Sequence, residues 1–305
     1  MKIGIIGTGA VGGYFGAKLV KAGLEVVFVG SKRSTPIIKE KGFYIKSPKG
    51  DIAIENPNIS DNLDELKTAD VILLCTKAYD TEEIAEAIKN IIKKDSIIIS
   101  LQNGIDNEEI LAQILGKEKI IAASIYLSAA SISPGVINHA GSGKIILGEL
   151  NQKMTPRLEK LEKLFSDAKI PVATSTDLKK DMWKKLLVNS AYNGFTALIG
   201  CSLKDIHSET GAKDAYLEVL KEGQTVAKTA GIFITDEEIE QLFEMINQTV
   251  FINFKSSTLQ DLEKGNKLEI DAIQGEIVKI AKKNNVKAPL NNLIYSLLKL
   301  KEKCR

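Results

Sequence analysis

The segment Gly7-Thr8-Gly9-Ala10-Val11-Gly12 follows an apolar run, Lys2 to Ile6, and opens a helical pattern that continues to about Ala22. Few folds place three glycines at that spacing between a strand and a helix. The first permits a tight turn, the second lets a ligand approach the backbone, and the third lets the helix pack closely on the sheet. The helix N-terminus meanwhile directs unpaired N–H groups outward. The pattern predicts a Rossmann-type unit that grips the pyrophosphate of a dinucleotide, with Gly7, Thr8, Gly9, Ala10, Val11 and Gly12 as candidate cofactor-binding residues. A glycine-rich turn without a ligand is the alternative.

Short β-rich runs and helical patterns keep alternating to about residue 150, with further runs at Glu25 to Val29, Val71 to Cys75, Ile97 to Leu101 and Ile120 to Ser124. This alternation predicts a parallel sheet. Two small hairpins are expected, Phe43 to Lys46 with Asp51 to Glu55, and Val136 to His139 with Lys144 to Leu147 around Gly141-Ser142-Gly143. A helix at Thr155 to Ala168 and a short strand at Pro171 to Ala173 follow. The remaining patterns are helical: Leu178 to Ile199, Ala212 to Ala230, Asp236 to Asn247, Asn253 to Glu263, Ala272 to Lys283 and Pro289 to Glu302. Asp271 and Gln274 have capping-box spacing. The expected class is α/β, with an N-terminal Rossmann-type dinucleotide-binding domain over residues 1–170 and a C-terminal all-helical domain over 171–305.

A length of 305 residues suits two cored domains, and 41 basic against 39 acidic side chains gives no whole-chain electrostatic case for nucleic acid or an anionic membrane. Cys75, Cys201 and Cys304 are odd in number and far apart, so neither a disulfide framework nor a metal-ligand spacing is present. Glycines interrupt the N-terminal apolar run before it becomes a signal-peptide core. Charges or turn residues break every other run short of the roughly 20 residues that span a bilayer. A cytoplasmic protein without metal, nucleic-acid or membrane partners is expected. The apolar helix faces leave a homodimer open.

Where the second strand ends, an NAD-type fold commonly places an acidic residue against the ribose hydroxyls. This chain has Gly30-Ser31-Lys32-Arg33 instead, a hydroxyl and two cations suited to the 2′-phosphate of NADP(H). A solvated loop pair is the plainer reading of Lys32 and Arg33. Lys77 and Asn103 follow later strands, where an open α/β sheet presents residues to its ligand crevice.

Lys185, Asn189 and Asn193 repeat every four residues in an otherwise apolar helix, so they share one narrow stripe. A buried cation and two amides need partners, and a polar small molecule supplies them. With a nicotinamide cofactor delivering hydride, Lys185 is suited to polarise a carbonyl and protonate the developing alkoxide, while the two amides fix its orientation. Alternatively the lysine snorkels and the asparagines bridge helices.

Together with Thr76-Lys77-Ala78, Gln102-Asn103-Gly104, Trp183 to Asn189, Ser256-Ser257-Thr258-Leu259-Gln260-Asp261 and Leu268-Glu269-Ile270-Asp271, these residues resemble the ketopantoate reductases over nearly the whole chain. The resemblance implies an NADPH-dependent enzyme that reduces 2-dehydropantoate to (R)-pantoate on the route to pantothenate and coenzyme A. It implies Lys185 as general acid, with Asn189, Asn193 and Ser257 as substrate-binding residues. It also implies Asn103 between cofactor and substrate, and Glu269 near the cofactor ribose or reacting centre. Two departures stand out: Ser31 where relatives often carry arginine, and Cys201-Ser202-Leu203 where some have Cys-Pro-Asn. Other readings are a reductase of a different 2-oxo acid, a nicotinamide-binding sensor without turnover, and an opine or 3-hydroxy acid dehydrogenase. The last commonly uses a histidine base, for which His139 and His207 show no obvious placement.

Overall fold

The computed structural model describes residues 1–246 and 255–304. Asn247 and Asn253, where two helices were expected to end and to begin, lie outside them. The chain forms two compact units. One comprises Met1–Gln102 and Asp106–Leu178, the other Asn103–Ile105 and Lys179–Arg305.

The first unit is built on one ten-stranded sheet: β1 (Lys2–Ile6), β2 (Glu25–Val29), β3 (Phe43–Lys46), β4 (Ile52–Ile54), β5 (Ile59–Ser60), β6 (Val71–Leu74), β7 (Ile97–Ser100), β8 (Ile120–Ser133), β9 (Val136–Glu149) and β10 (Val172–Thr174). The spatial order is β4-β3-β9-β8-β7-β6-β1-β2-β5, with β10 paired to β9. From β5 to β8 every neighbour is parallel. Parallel neighbours need crossovers, and α1 (Ala10–Lys21), α2 (Thr35–Lys41), α3 (Thr81–Ile88) and α4 (Asn107–Leu115) lie on them. A further helix, α5 (Pro156–Asp167), starts at Thr155, whose hydroxyl accepts from the Leu158 N–H. Strand order reverses between β1 and β6, so the loops that follow them flank the crevice of this fold.

Two expectations change here. The glycines at 141–143 do not turn the chain: β8 and β9 form one long antiparallel ladder, and Gly141 to Gly143 lie inside β9 at a register shift. A Cβ at Gly143 would sit 2.5 Å from the Tyr14 hydroxyl, so glycine there admits the α1 side chain instead. The first unit also runs to Leu178 rather than 170, because Val172–Thr174 adds to β9 in parallel.

The second unit is helical: α6 (Leu178–Ile199), α7 (Leu203–Ser208), α8 (Thr210–Thr229), α9 (Asp236–Ile246), α10 (Ser257–Glu263), α11 (Glu276–Lys283) and α12 (Pro289–Lys303). Trp183, Leu187, Tyr216, Leu220, Ile277 and Leu298 are among its buried core. The short α7 escaped the periodicity reading, although Ser202 and Asp205 close a capping box on it. Asp271, in contrast, caps nothing. It begins a π-helical turn, Asp271–Gly275, and its carboxylate accepts from the Tyr295 hydroxyl (2.7 Å) and the Lys299 ammonium (3.1 Å). Among the described residues, no helix is long and apolar enough to cross a membrane, and no group of three or more His, Cys, Asp or Glu is placed to hold a metal.

Candidate active site

In the first unit the turn after β1 is shaped by backbone contact. Gly7 has φ +96°, and a Cβ there would lie 2.8 Å from the Cys75 carbonyl carbon and the Thr76 nitrogen. A Cβ at Gly12 would collide with the Gly7 carbonyl oxygen. Gly9 is different. Apart from its chain neighbours, no atom of the described residues lies within 4 Å of where its Cβ would be, so packing makes no demand for glycine and the space faces outward. The first turn of α1 has no side-chain cap and no acidic residue, and Ala10 and Val11 sit at its entrance. Open space, uncapped N–H groups and the positive end of a helix fit a dinucleotide pyrophosphate.

Beside this turn, Thr8 Oγ1 lies 3.3 Å from Ser34 Oγ, which lies 2.9 Å from Ser31 Oγ. Ser31, Lys32 and Arg33 are exposed at the end of β2. Ser34 was not foreseen, since a serine three residues after another reads as an ordinary turn. Across the crevice edge, Lys77 is half-buried, and the Gln102 amide donates to its carbonyl oxygen (3.0 Å) and to Thr76 Oγ1 (3.3 Å). Gln102 Oε1 accepts from Thr81 and Ser100. Gln102 therefore braces the Thr76-Lys77 loop, a role that Asn103-Gly104 beside it obscured in the sequence. Burial pushes the Cys75 thiol well above its usual range, which makes it a poor nucleophile.

In the second unit α6 carries Lys185 and Asn189 half-buried and Asn193 buried. The eight steps from Lys185 to Asn193 rise roughly 12 Å. The polar groups on this helix divide in two. Ser190 donates to Asn291 Oδ1 (2.8 Å), and its carbonyl oxygen accepts from the Gln274 amide (3.1 Å). Thr196 donates to Ser256 Oγ (2.7 Å). Asn193, only 2% exposed, has no partner for Nδ2 among the described residues. A buried donor left unmatched costs about 1–3 kcal/mol, a cost that a ligand acceptor removes.

Ser256 and Ser257 differ in burial. Ser256 is buried and caps α10 by accepting from the Leu259 N–H, whereas Ser257 is exposed on the first turn. Asn103, which groups with the second unit, donates through Nδ2 to Glu269 Oε2 at 3.4 Å, joining residues far apart in sequence. Glu269 is 7% exposed. Lys184, next to Lys185, is engaged elsewhere: Glu238 of α9 binds both Lys180 (2.8 Å) and Lys184 (2.6 Å). The histidines have other surroundings. His139 lies between Ser47 Oγ and the Ser142 carbonyl oxygen, and His207 lies among the rings of Tyr216 and Phe243. Burial holds both below the usual histidine range.

A parallel α/β unit with an open glycine cradle, followed by a helical unit presenting an amine, amides and a carboxylate, has the architecture of a two-unit oxidoreductase. The sequence model described as "Ketopantoate reductase PanE/ApbA" matches residues 3–152, and its C-terminal counterpart matches residues 177–302. The chain belongs to the ketopantoate reductase family. It is 35% identical to the 2-dehydropantoate 2-reductase of Pyrococcus abyssi, over 99% of this chain and 98% of that one. Among solved structures, the 2-dehydropantoate 2-reductase of Geobacter metallireducens superposes with a TM-score of 0.93 at 29% identity, covering 98% of this chain and 99% of that one. A ternary structure of D-mandelate dehydrogenase with NADH and anilino(oxo)acetate superposes at 0.92 with 27% identity, covering 100% of this chain and 99% of that one.

Proposed function

We propose that the chain reduces 2-dehydropantoate to (R)-pantoate with NADPH, a cytoplasmic step toward pantothenate and coenzyme A. The observation that carries the reading is the unpaired Nδ2 of buried Asn193, on the same stripe as Asn189 and Lys185. Family membership and the name of the Pyrococcus relative support the substrate. Gly7 to Gly12 would hold the pyrophosphate, Ser31, Lys32 and Arg33 the 2′-phosphate, and Lys77 the neighbouring part of the cofactor. Bound NADPH supplies the hydride that reduces the 2-oxo carbon. Lys185 Nζ polarises the carbonyl oxygen and gives it a proton, leaving a neutral amine that solvent reprotonates. Asn189 and Asn193 bind the substrate's oxygens, with Ser257 at the substrate's edge. Asn103 and Glu269 orient each other between cofactor and substrate. A homodimer is the assembly this reading favours.

The test is NADPH oxidation against a panel of 2-oxo acids that includes 2-dehydropantoate and a phenyl-substituted 2-oxo acid, repeated with NADH. The highest kcat/KM with 2-dehydropantoate and NADPH is expected. Likeness to D-mandelate dehydrogenase with NADH favours a second reading, a reductase of a bulkier 2-oxo acid. A higher kcat/KM for the phenyl compound would replace the first reading with the second. No turnover with any member would leave a nicotinamide-binding sensor.

A further inference from the structure

His139 and Ser47 take no part in the reduction proposed above, yet they are in direct contact. Ser47 Oγ lies 2.9 Å from His139 Nδ1, and His139 Nε2 lies 3.3 Å from the Ser142 carbonyl oxygen. A carbonyl oxygen can only accept, so Nε2 carries the ring proton and Nδ1 is left to accept the Ser47 hydroxyl proton. Burial, with Lys49 and Lys18 acting in the same direction, outweighs the hydrogen bond to Ser142 and keeps the ring below the usual histidine range, hence uncharged at neutral pH. Three details hold the ring in place. His139 stands at a register shift of the β8–β9 ladder, an irregularity of the kind that re-aims a side chain. Ser142 has φ +62°, a left-handed conformation that is costly for a residue other than glycine. The Tyr14 ring lies against the imidazole, with centroids 4.4 Å apart. The β3–β4 turn closes without the pair: Asp51 accepts from the Ser47 N–H (2.9 Å) and the Tyr44 hydroxyl (2.7 Å), and the Gly50 N–H donates to the Ser47 carbonyl oxygen (3.0 Å). A cavity of about 300 Å³ adjoins the pair, lined by Lys46, Ser47, Pro48, Asp51, Asn138 and His139.

We propose that Ser47 is a nucleophile activated by His139, a second reactive site that takes short acyl groups from activated esters and thioesters. The arrangement is that of covalent catalysis: a nucleophile, a base within hydrogen-bond reach, and a third group that orients the base. Ser47 Oγ attacks the acyl carbonyl carbon while its proton passes to His139 Nδ1. The tetrahedral intermediate then breaks its bond to the alcohol or thiol, which leaves with that proton, and Ser47 keeps the acyl group as an ester. The Lys49 N–H, 3.1 Å from Ser47 Oγ, is a backbone donor for the oxyanion that attack creates. Water, giving its proton to the same ring, then releases the carboxylic acid and returns that proton to the serine. A carbonyl oxygen behind the ring supplies no counter-charge to the imidazolium formed on the way, and Lys49 and Lys18 oppose it. Attack is therefore slow, which restricts the site to acyl groups with a good leaving group. The cavity volume, at the low end for small-molecule sites, restricts them to a few carbons.

The test treats the full chain with p-nitrophenyl acetate and, separately, with an alkyl fluorophosphonate, and locates the adduct by peptide mass spectrometry. A label on Ser47 is expected, absent from Ser47→Ala and from the chain unfolded in urea. His139→Gln should slow labelling of Ser47 about 100-fold with an unchanged far-ultraviolet circular dichroism spectrum. If that variant does not fold, the comparison of folded wild type with the urea-unfolded chain still decides whether the fold activates Ser47. Reductase turnover should be unchanged in Ser47→Ala, so a negative result here leaves the reading of the reductase site standing. An unlabelled Ser47 in the folded wild type would overturn the inference. Equal labelling of Ser47 in the unfolded chain, or in a folded His139→Gln variant, would do the same.

Discussion

The glycine turn of the first unit and the polar face of the second are built in opposite ways. The turn uses backbone and empty space, all within one run of six residues, and Gly9 matters for what it leaves out. The polar groups proposed for the substrate come from separate segments: Lys185, Asn189 and Asn193 on α6, and the Asn103–Glu269 pair, drawn from a three-residue excursion of the sheet unit and from the residue ahead of the π-helical turn. A backbone site accommodates any ligand with a pyrophosphate, whereas a side-chain site discriminates among small acids by which hydrogen bonds it completes. The first should tolerate side-chain change except at its glycines. The second should fail residue by residue.

The largest expected break in the second region is Lys185→Ala. Removing the proposed proton donor should lower kcat by roughly 10² to 10⁴-fold while NADPH affinity, measured by fluorescence titration, stays within about two-fold. If both fall together, the residue supports the fold and the division of labour between the two regions collapses.

Next is a pair of substitutions on one helix. Asn193→Ala should raise KM for the 2-oxo acid by roughly 10 to 100-fold, because its Nδ2 has no protein partner to lose. Ser190→Ala should leave KM unchanged and cost about 1 kcal/mol in thermal or denaturant unfolding, since its hydroxyl satisfies Asn291 in the core. An identical kinetic profile for the two would mean that burial, not an open hydrogen bond, accounts for Asn193. A smaller effect is expected on the cofactor side. Lys32→Ala with Arg33→Ala should weaken NADPH about ten-fold and spare NADH, and equal weakening of both would place the 2′-phosphate elsewhere.

How far each region was legible follows from the same contrast. The glycine turn could be read because its determinants are adjacent and its strand and helix have clear periods. The α6 stripe could be read because helical geometry converts spacing into a face. Contacts between distant segments could not: the Asn103–Glu269 hydrogen bond joins residues 166 positions apart, and no local pattern encodes it. Ser256 and Ser257 are neighbours with opposite burial, decided by the phase of α10 against Thr196. Glycines misled at 141–143 because a residue that lacks Cβ to admit Tyr14 looks, in sequence, like one that lacks it to turn the chain. Gln102 and Ser34 stayed hidden because they act on other protein groups, and side chains of their type serve that purpose everywhere.

The Glu238 ion pair gives the smallest expected effect on turnover and the sharpest separation within the lysine run at the start of α6. Burial raises its carboxyl, but hydrogen bonds from Lys180, Lys184 and the Thr235 N–H outweigh that and bring it down to about 2. A carboxyl whose folded pKa lies below its unfolded value of about 4.3 stabilises the fold at neutral pH, and that stability is lost as pH falls toward the folded pKa. Glu238→Gln should therefore cost about 1–2 kcal/mol at pH 7, and the difference from wild type should shrink from about pH 5 downward and be small near pH 2. Lys184→Met should reproduce part of that loss while leaving kcat within about two-fold, although it stands next to Lys185 in the chain. Adjacent residues of a helix point about 100° apart. One lysine thus serves the α6–α9 ion pair while its neighbour lies on the stripe with Asn189 and Asn193. A large drop in kcat for Lys184→Met at full stability would merge the two faces of the helix and move the proton donor's assignment with them.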